Sequence, residues 1–165
     1  MRRWWANSLR ALALDPNDSE AHIDLGAAYR EMGNVQEAEV QMRRAVALAP
    51  FDVKARANLG ELYLSQQRLP EAEEQFRRLV AIRPDSRGYL GLGMVRWHRG
   101  DVREAERCFT EAASLAPSMA QPHMMLGLLY LELGRNAEGE SELRKALERD
   151  PTNEEAPSAL HRLKR

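Results

Sequence analysis

Four histidines, one cysteine and a short run of glycines are the residues of this 165-residue chain whose types suit catalysis or metal binding. A metal site or a nucleophile needs partners that one helix face or one loop brings together. His22, His98, His123 and His161 form no pair at a spacing that would place two ligands on one helix face. His22 and His123 recur at the same place in a repeated pattern, which predicts packing rather than ligation. His98 is a candidate surface residue, and His161 falls near the C-terminus. Cys108 has no histidine at a neighbouring helical position to activate it, and alone it closes no internal disulfide. Gly88, Gly91 and Gly93 superficially suggest a phosphate loop, but their spacing is out of order and no strand precedes them. No catalytic, cofactor-binding or metal-binding residue is therefore expected, and the chain reads as a non-enzyme.

The repeated pattern is the stronger signal. Pro16, Pro50, Pro84, Pro117 and Pro151 stand 34, 34, 33 and 34 residues apart. Between them recur Leu25-Gly26, Leu59-Gly60, Leu92-Gly93 and Leu126-Gly127, with Tyr29, Tyr63 and Tyr130 three residues after the glycine and Arg96 in the third copy. Further along come a small residue (Ala38, Ala72, Ala105, Gly139), a bulky one (Met42, Phe76, Phe109, Leu143) and a small or apolar one (Ala45, Leu79, Ala112, Ala146). Leu25, Ala28, Tyr29 and Met32 have the i, i+3, i+4, i+7 spacing of a helix, as do the apolar residues from Val35 to Val46. Each copy is thus two amphipathic helices, A and B, joined at Gly33, Gly100 or Gly134, with Gln67 in that place in the second copy. Asn34 with Glu37, and Asp101 with Glu104, predict capping boxes at the start of B helices. Pro70 suits a helix start, and Gly60 and Ala72 predict helices too close to accept a larger side chain.

In period and in the order Leu-Gly, Tyr, Ala, bulky residue, Ala, Pro, the chain resembles the tetratricopeptide repeat family. The resemblance implies an all-α fold, a right-handed superhelical solenoid of antiparallel helix pairs. The implied organisation is a partial repeat acting as an N-terminal capping helix over 1–18, four repeats at 19–52, 53–85, 86–119 and 120–153, and a C-terminal capping helix over 154–165.

Composition excludes several functions. With 24 basic and 25 acidic side chains, the chain has a formal net charge of -1 and lacks the excess of cations that binding to nucleic acid requires. No apolar run is long enough for a membrane span. The stretch from Met1 to Leu14 is interrupted by Asn7, Ser8 and Arg10, which does not make a signal peptide, and a cytoplasmic location is expected. That stretch aligns with a B helix lacking its A partner. Trp4 and Trp5 then either dock on the first full repeat or form a homodimer contact through the N-terminal helix.

In the resembled family, function lies on the concave surface made by the A helices, which implies a protein or peptide segment as partner and no cofactor. The residues placed there are Asp24, Arg30, Lys54, Asn58, Glu61 and Arg87, and, toward the other end, Met94, Trp97, His98, Met124, Leu128 and Leu131. The first group is polar, whereas the second offers flexible methionines beside an aromatic anchor, a surface suited to apolar side chains. The clamp for a terminal carboxylate found in some family members is not matched, because Ile23, Ala27 and Gly91 replace its donors. The leading reading is a protein-interaction scaffold. Its alternatives are a self-associating assembly element and a non-catalytic domain of a larger enzyme or secretion machine.

Overall fold

The computed structural model describes residues 5–163, and every regular element in them is an α-helix. The A helices are α2 (Ser19–Glu31), α4 (Val53–Ser65), α6 (Ser86–His98) and α8 (Ala120–Glu132). The B helices are α3 (Val35–Leu48), α5 (Leu69–Ile82), α7 (Val102–Leu115) and α9 (Asn136–Arg149). They are preceded by α1 (Trp5–Leu14) and followed by α10 (Glu155–Leu163). The fold class is the all-α solenoid of antiparallel helix pairs, and each A helix packs most extensively on the B helix that follows it. The chain forms two compact units, one within 1–83 and the other within 84–165.

Steric fit explains the recurring Leu-Gly pair. A methyl group on Gly60 would lie 2.8 Å from Cε1 of Phe76, and one on Gly93 would lie 2.5 Å from Cδ1 of Phe109. The bulky B-helix residue therefore occupies the space a side chain would need, and the hairpin closes by pressing a ring onto bare backbone. Ala38, Ala72, Ala105 and Ala112 are fully buried alongside these contacts.

The A-to-B turn needs a left-handed residue. Gly33, Gly100 and Gly134 adopt φ of 78°, 81° and 72°, and Gln67 is forced to 59° in the same place. In the first hairpin the Asn34 N–H donates to the Tyr29 carbonyl, closing α2 with backbone alone. The capping boxes expected at Asn34 and Asp101 do not form, since neither side chain makes a cap hydrogen bond. Their ψ values of 74° and 63° lie outside the extended region from which an N-cap side chain reaches the third helical N–H. The side-chain caps sit on A helices instead. Asp18 and Asp52 accept from Ala21 N and Ala55 N at 3.0 and 2.8 Å, and Asp85 accepts from Arg87 N at 2.9 Å.

Within each unit a second device ties one repeat to the next. In the first, Tyr63 donates to Glu39 at 3.3 Å, Arg68 donates to Glu39 and Glu71 at 2.7 and 2.9 Å, and the guanidinium lies 4.3 Å from the Tyr63 ring centre. In the second, Tyr130, Arg135, Glu106 and Glu138 repeat the arrangement, with Tyr130 and Arg135 each 2.9 Å from Glu106 and the guanidinium 4.1 Å from the ring centre. Burial and the bond to Glu106 push the Tyr130 phenol up to about 12.

Candidate functional site

In unit 84–165 the A-helix face opens into a cleft of about 500 Å³. Met94, Trp97 and His98 reach it from α6 at i, i+3 and i+4. Met125, Leu128 and Glu132 reach it from α8 at i, i+3 and i+7, and Glu155 closes one side from the first residue of α10. These spacings put each set on one stripe of its helix.

Trp97 is the fixed point of the cleft. Its ring meets Phe109 edge to face at 6.0 Å, and its indole N–H donates to Glu132 Oε2 at 2.7 Å. The ring is therefore both part of the core's outer layer and a wall of the cleft, and the bond orients the Glu132 carboxylate toward the same space. Met94, Trp97 and Leu128 are half-buried, while Met125 is only 9% exposed. Two methionines give this wall a shape that can adjust to a ligand.

The other sequence-derived candidates of this unit lie elsewhere. Met124 is 9% exposed and its sulfur accepts from Asn153 at 3.3 Å, so it faces the junction with α10 rather than the cleft. Leu131 packs over Gly139, where a methyl group would stand 3.0 Å from its Cγ. Arg87 is half-buried and does not line the cleft. Met125 and Glu132, which the sequence places on the A-helix face but which are not among its candidates, line it, as does Glu155. Glu155 continues the row Glu20, Lys54, Arg87, Gln121 by one more copy, a signal that reading 154–165 as a capping helix conceals.

In unit 1–83 the same face is charged, and its charges pair with one another. Arg30 meets Glu61 at 3.3 Å, and Lys54 lies between Asp24 at 3.6 Å and Glu20 at 3.8 Å. At 37% to 79% side-chain exposure these pairs contribute little to stability, and a partner could exchange them cheaply. Asn58 is buried at 7% exposure within α4. On α1, Trp5 is half-buried, and Trp4 lies outside the described residues.

The histidines in the recurring place are buried, as packing predicts. The His22 ring nitrogens contact Gln41 Oε1 at 2.7 Å and the Pro16 carbonyl at 3.1 Å. Arg56 fills the same position in the second repeat and donates to the Pro50 carbonyl at 2.8 Å and to Gln75 at 3.2 Å. In the fourth, His123 Nδ1 meets Glu142 at 2.7 Å, while Arg149 takes the Pro117 carbonyl and His123 Nε2 is left without a partner. Despite burial, which raises it, bonds from Lys145 and His123 hold the Glu142 carboxyl below its ordinary range. Burial pushes the Cys108 thiol up, the opposite of what an activated nucleophile needs. Among the described residues no group of three His, Cys, Asp or Glu side chains is placed to hold a metal ion, and no helix is long and apolar enough to cross a membrane.

Comparison with known proteins agrees with this architecture. The tetratricopeptide repeat family profile matches residues 23–87 and 90–154. Among solved structures, the chain is similar to TTC0263, a thermophilic TPR protein of Thermus thermophilus, with a TM-score of 0.84 and 24% identity over 96% of this chain and 88% of that one. It is also similar to Pseudomonas aeruginosa PilF, with a TM-score of 0.79 and 24% identity over 88% of this chain and 67% of that one. YrrB, described as a TPR protein with an unusual peptide-binding site, aligns with a TM-score of 0.70 and 16% identity over 94% of this chain and 81% of that one. At these identities the likeness speaks for the fold alone. No curated protein matches the chain in sequence.

Proposed function

The chain belongs to the tetratricopeptide repeat family, and from that premise we propose that it is a protein-interaction scaffold that holds a segment of a partner against its A-helix face. The cleft of unit 84–165 is the observation that carries this reading. It is concave, walled by Met94, Met125, Leu128 and the doubly anchored Trp97, and of the size that encloses one or two side chains with their backbone. An aromatic held rigid before binding loses little freedom on binding, which is why such residues dominate interface energetics. The peptide-binding site named for YrrB supports the same class of activity.

Selection of peptides from a random library on the purified chain tests the proposal. Trp97→Ala is a poor probe, because it removes a core contact and a cleft wall together. Met94→Gln and Leu128→Gln change half-buried walls and should each weaken the selected peptides by about 1 kcal/mol or more, while Arg107→Gln on the exposed face of α7 should not. Peptides that bind all three variants equally would refute the assignment.

One observation favours self-association as a second reading. Leu9 and Leu14 of α1 are 43% and 90% exposed. Sedimentation of the whole chain beside one lacking residues 1–14 decides it, since monomers in both cases remove the idea.

A further inference from the structure

Resting on that assignment of the cleft, we infer that the partner segment delivers a lysine or arginine side chain into it. The inference concerns the chemistry of the occupant, and three observations support it. First, the walls and the rim differ in kind. Met94, Met125 and Trp97 offer an apolar passage, and Glu132 and Glu155 place two carboxylates beside it. A long side chain with a methylene stem and a cationic head satisfies both parts at once, whereas a purely apolar side chain leaves the carboxylates facing it.

Second, neither carboxylate has an ion-pair partner among the described residues. Glu132 accepts the Trp97 indole N–H through Oε2, and the Glu155 side chain makes no bond among those residues. Arginine or lysine engages Glu106, Glu138 and Glu142 in the same unit, away from the cleft, so the two carboxylates beside the cleft remain open to a cation from outside. The equivalent face of unit 1–83 already carries its own cations, Arg30 and Lys54, against Glu61 and Asp24. In unit 84–165 Trp97 stands in the row of Arg30 and Gln121 in the row of Lys54, and neither brings a cation to Glu132 or Glu155.

Third, the Trp97 to Glu132 bond sets one carboxylate in position before any ligand arrives, and an indole is the aromatic that best tolerates a neighbouring cation. Lysine presents a point charge and arginine a planar fork, and both heads fit a carboxylate pair.

Four synthetic peptide libraries test this, identical except for a central lysine, arginine, norleucine or glutamate, with binding to the full chain measured by fluorescence anisotropy. The expected result is binding of the lysine or arginine library at least tenfold tighter than norleucine, and none with glutamate. The Glu132→Gln, Glu155→Gln double variant, altered at two exposed positions, should keep its melting temperature, lose the cationic preference and leave norleucine binding in place. Raising the salt from low to physiological concentration should weaken the cationic libraries more than the norleucine one. Equal binding of lysine and norleucine, lost in Met94→Gln, would overturn the cationic occupant and leave the cleft as a partner site. Failure of all four libraries would overturn both. Association of the chain with itself at the same concentrations, abolished by the double variant, would overturn the partner segment in favour of a second copy as the occupant.

Discussion

Gly93→Ala tests the steric logic that ties the fold to the cleft. The new methyl group would stand 2.5 Å from Cδ1 of Phe109 and closer still to Cε1. Phe109 is wholly buried and Trp97 packs against it at 6.0 Å, so the ring cannot retreat without moving the wall of the cleft. Alanine gains about 0.5–1 kcal/mol over glycine in a helix interior, and overpacking costs about 1–3 kcal/mol. The substitution should therefore destabilise by about 1–2 kcal/mol. Phe109→Ala alone should cost about 3–5 kcal/mol, a large part of the about 5–15 kcal/mol typical of a domain. In the Phe109→Ala background the obstruction is gone, and Gly93→Ala should stabilise by its helix term of about 0.5–1 kcal/mol. The sign of one substitution thus depends on the other. Urea unfolding of the four proteins, followed by circular dichroism, measures the cycle. If Gly93→Ala costs the same in both backgrounds, the close approach of Phe109 is not the reason for glycine, and the account of the Leu-Gly pair fails. The same variant should weaken lysine-library binding, because a displaced Phe109 carries Trp97 with it.

Gln67 holds φ of 59° where the other three turns have glycine, so Gln67→Gly should relieve about 1–2 kcal/mol of left-handed strain. It gives back part of that through a freer unfolded chain, for a net gain of about 0.5–1 kcal/mol visible as a higher melting temperature, and no rise would refute the strain. The Tyr130 phenol, raised by burial and by Glu106 to about 12, gives a pH prediction. The folded state holds this proton more tightly than the unfolded state, whose tyrosine titrates near 10. Its contribution is complete below pH 10 and is lost as pH rises from there toward 12. Glu106→Gln should make that alkaline loss shallower and bring phenolate absorbance to lower pH, and unchanged curves would count against the Tyr130–Glu106 bond.

The hairpins were legible because their determinants lie close together in the chain. Gly26 with Met42, Gly60 with Phe76, Gly93 with Phe109 and Gly127 with Leu143 are contacts inside one helix pair, so the same steric demand prints the same residues in every copy. Capping was less legible. Asn34 and Asp101 have suitable side chains and suitable spacing, but the Gly33 and Gly100 turns set a backbone direction from which those side chains do not reach. The pairing within the charged half was not legible, for a different reason. Spacing places Lys54 and Arg30 on the A-helix face, yet spacing within one helix cannot reveal that Asp24 and Glu61 of the neighbouring A helix already meet them.

The cleft was partly hidden because its residues come from rows that do not repeat. Trp97 shares its row with Arg30, Leu64 and Leu131, and Met125 shares its row with Asp24, Asn58 and Gly91. His98 and Glu132 share a row with Glu31 and Ser65. Packing within a hairpin is the same problem four times and admits one answer, so its rows are uniform. A surface that must fit an outside group meets a different part of that group at each copy, and its rows diverge. By that criterion Glu155 belongs with Glu20, Lys54, Arg87 and Gln121, a row without a common chemistry, and α10 lines the cleft as well as capping the fold. Removing α10 would take a carboxylate from the cleft as well as cover from the α8 and α9 hairpin, which is why Glu155→Gln, and not truncation, separates the two roles.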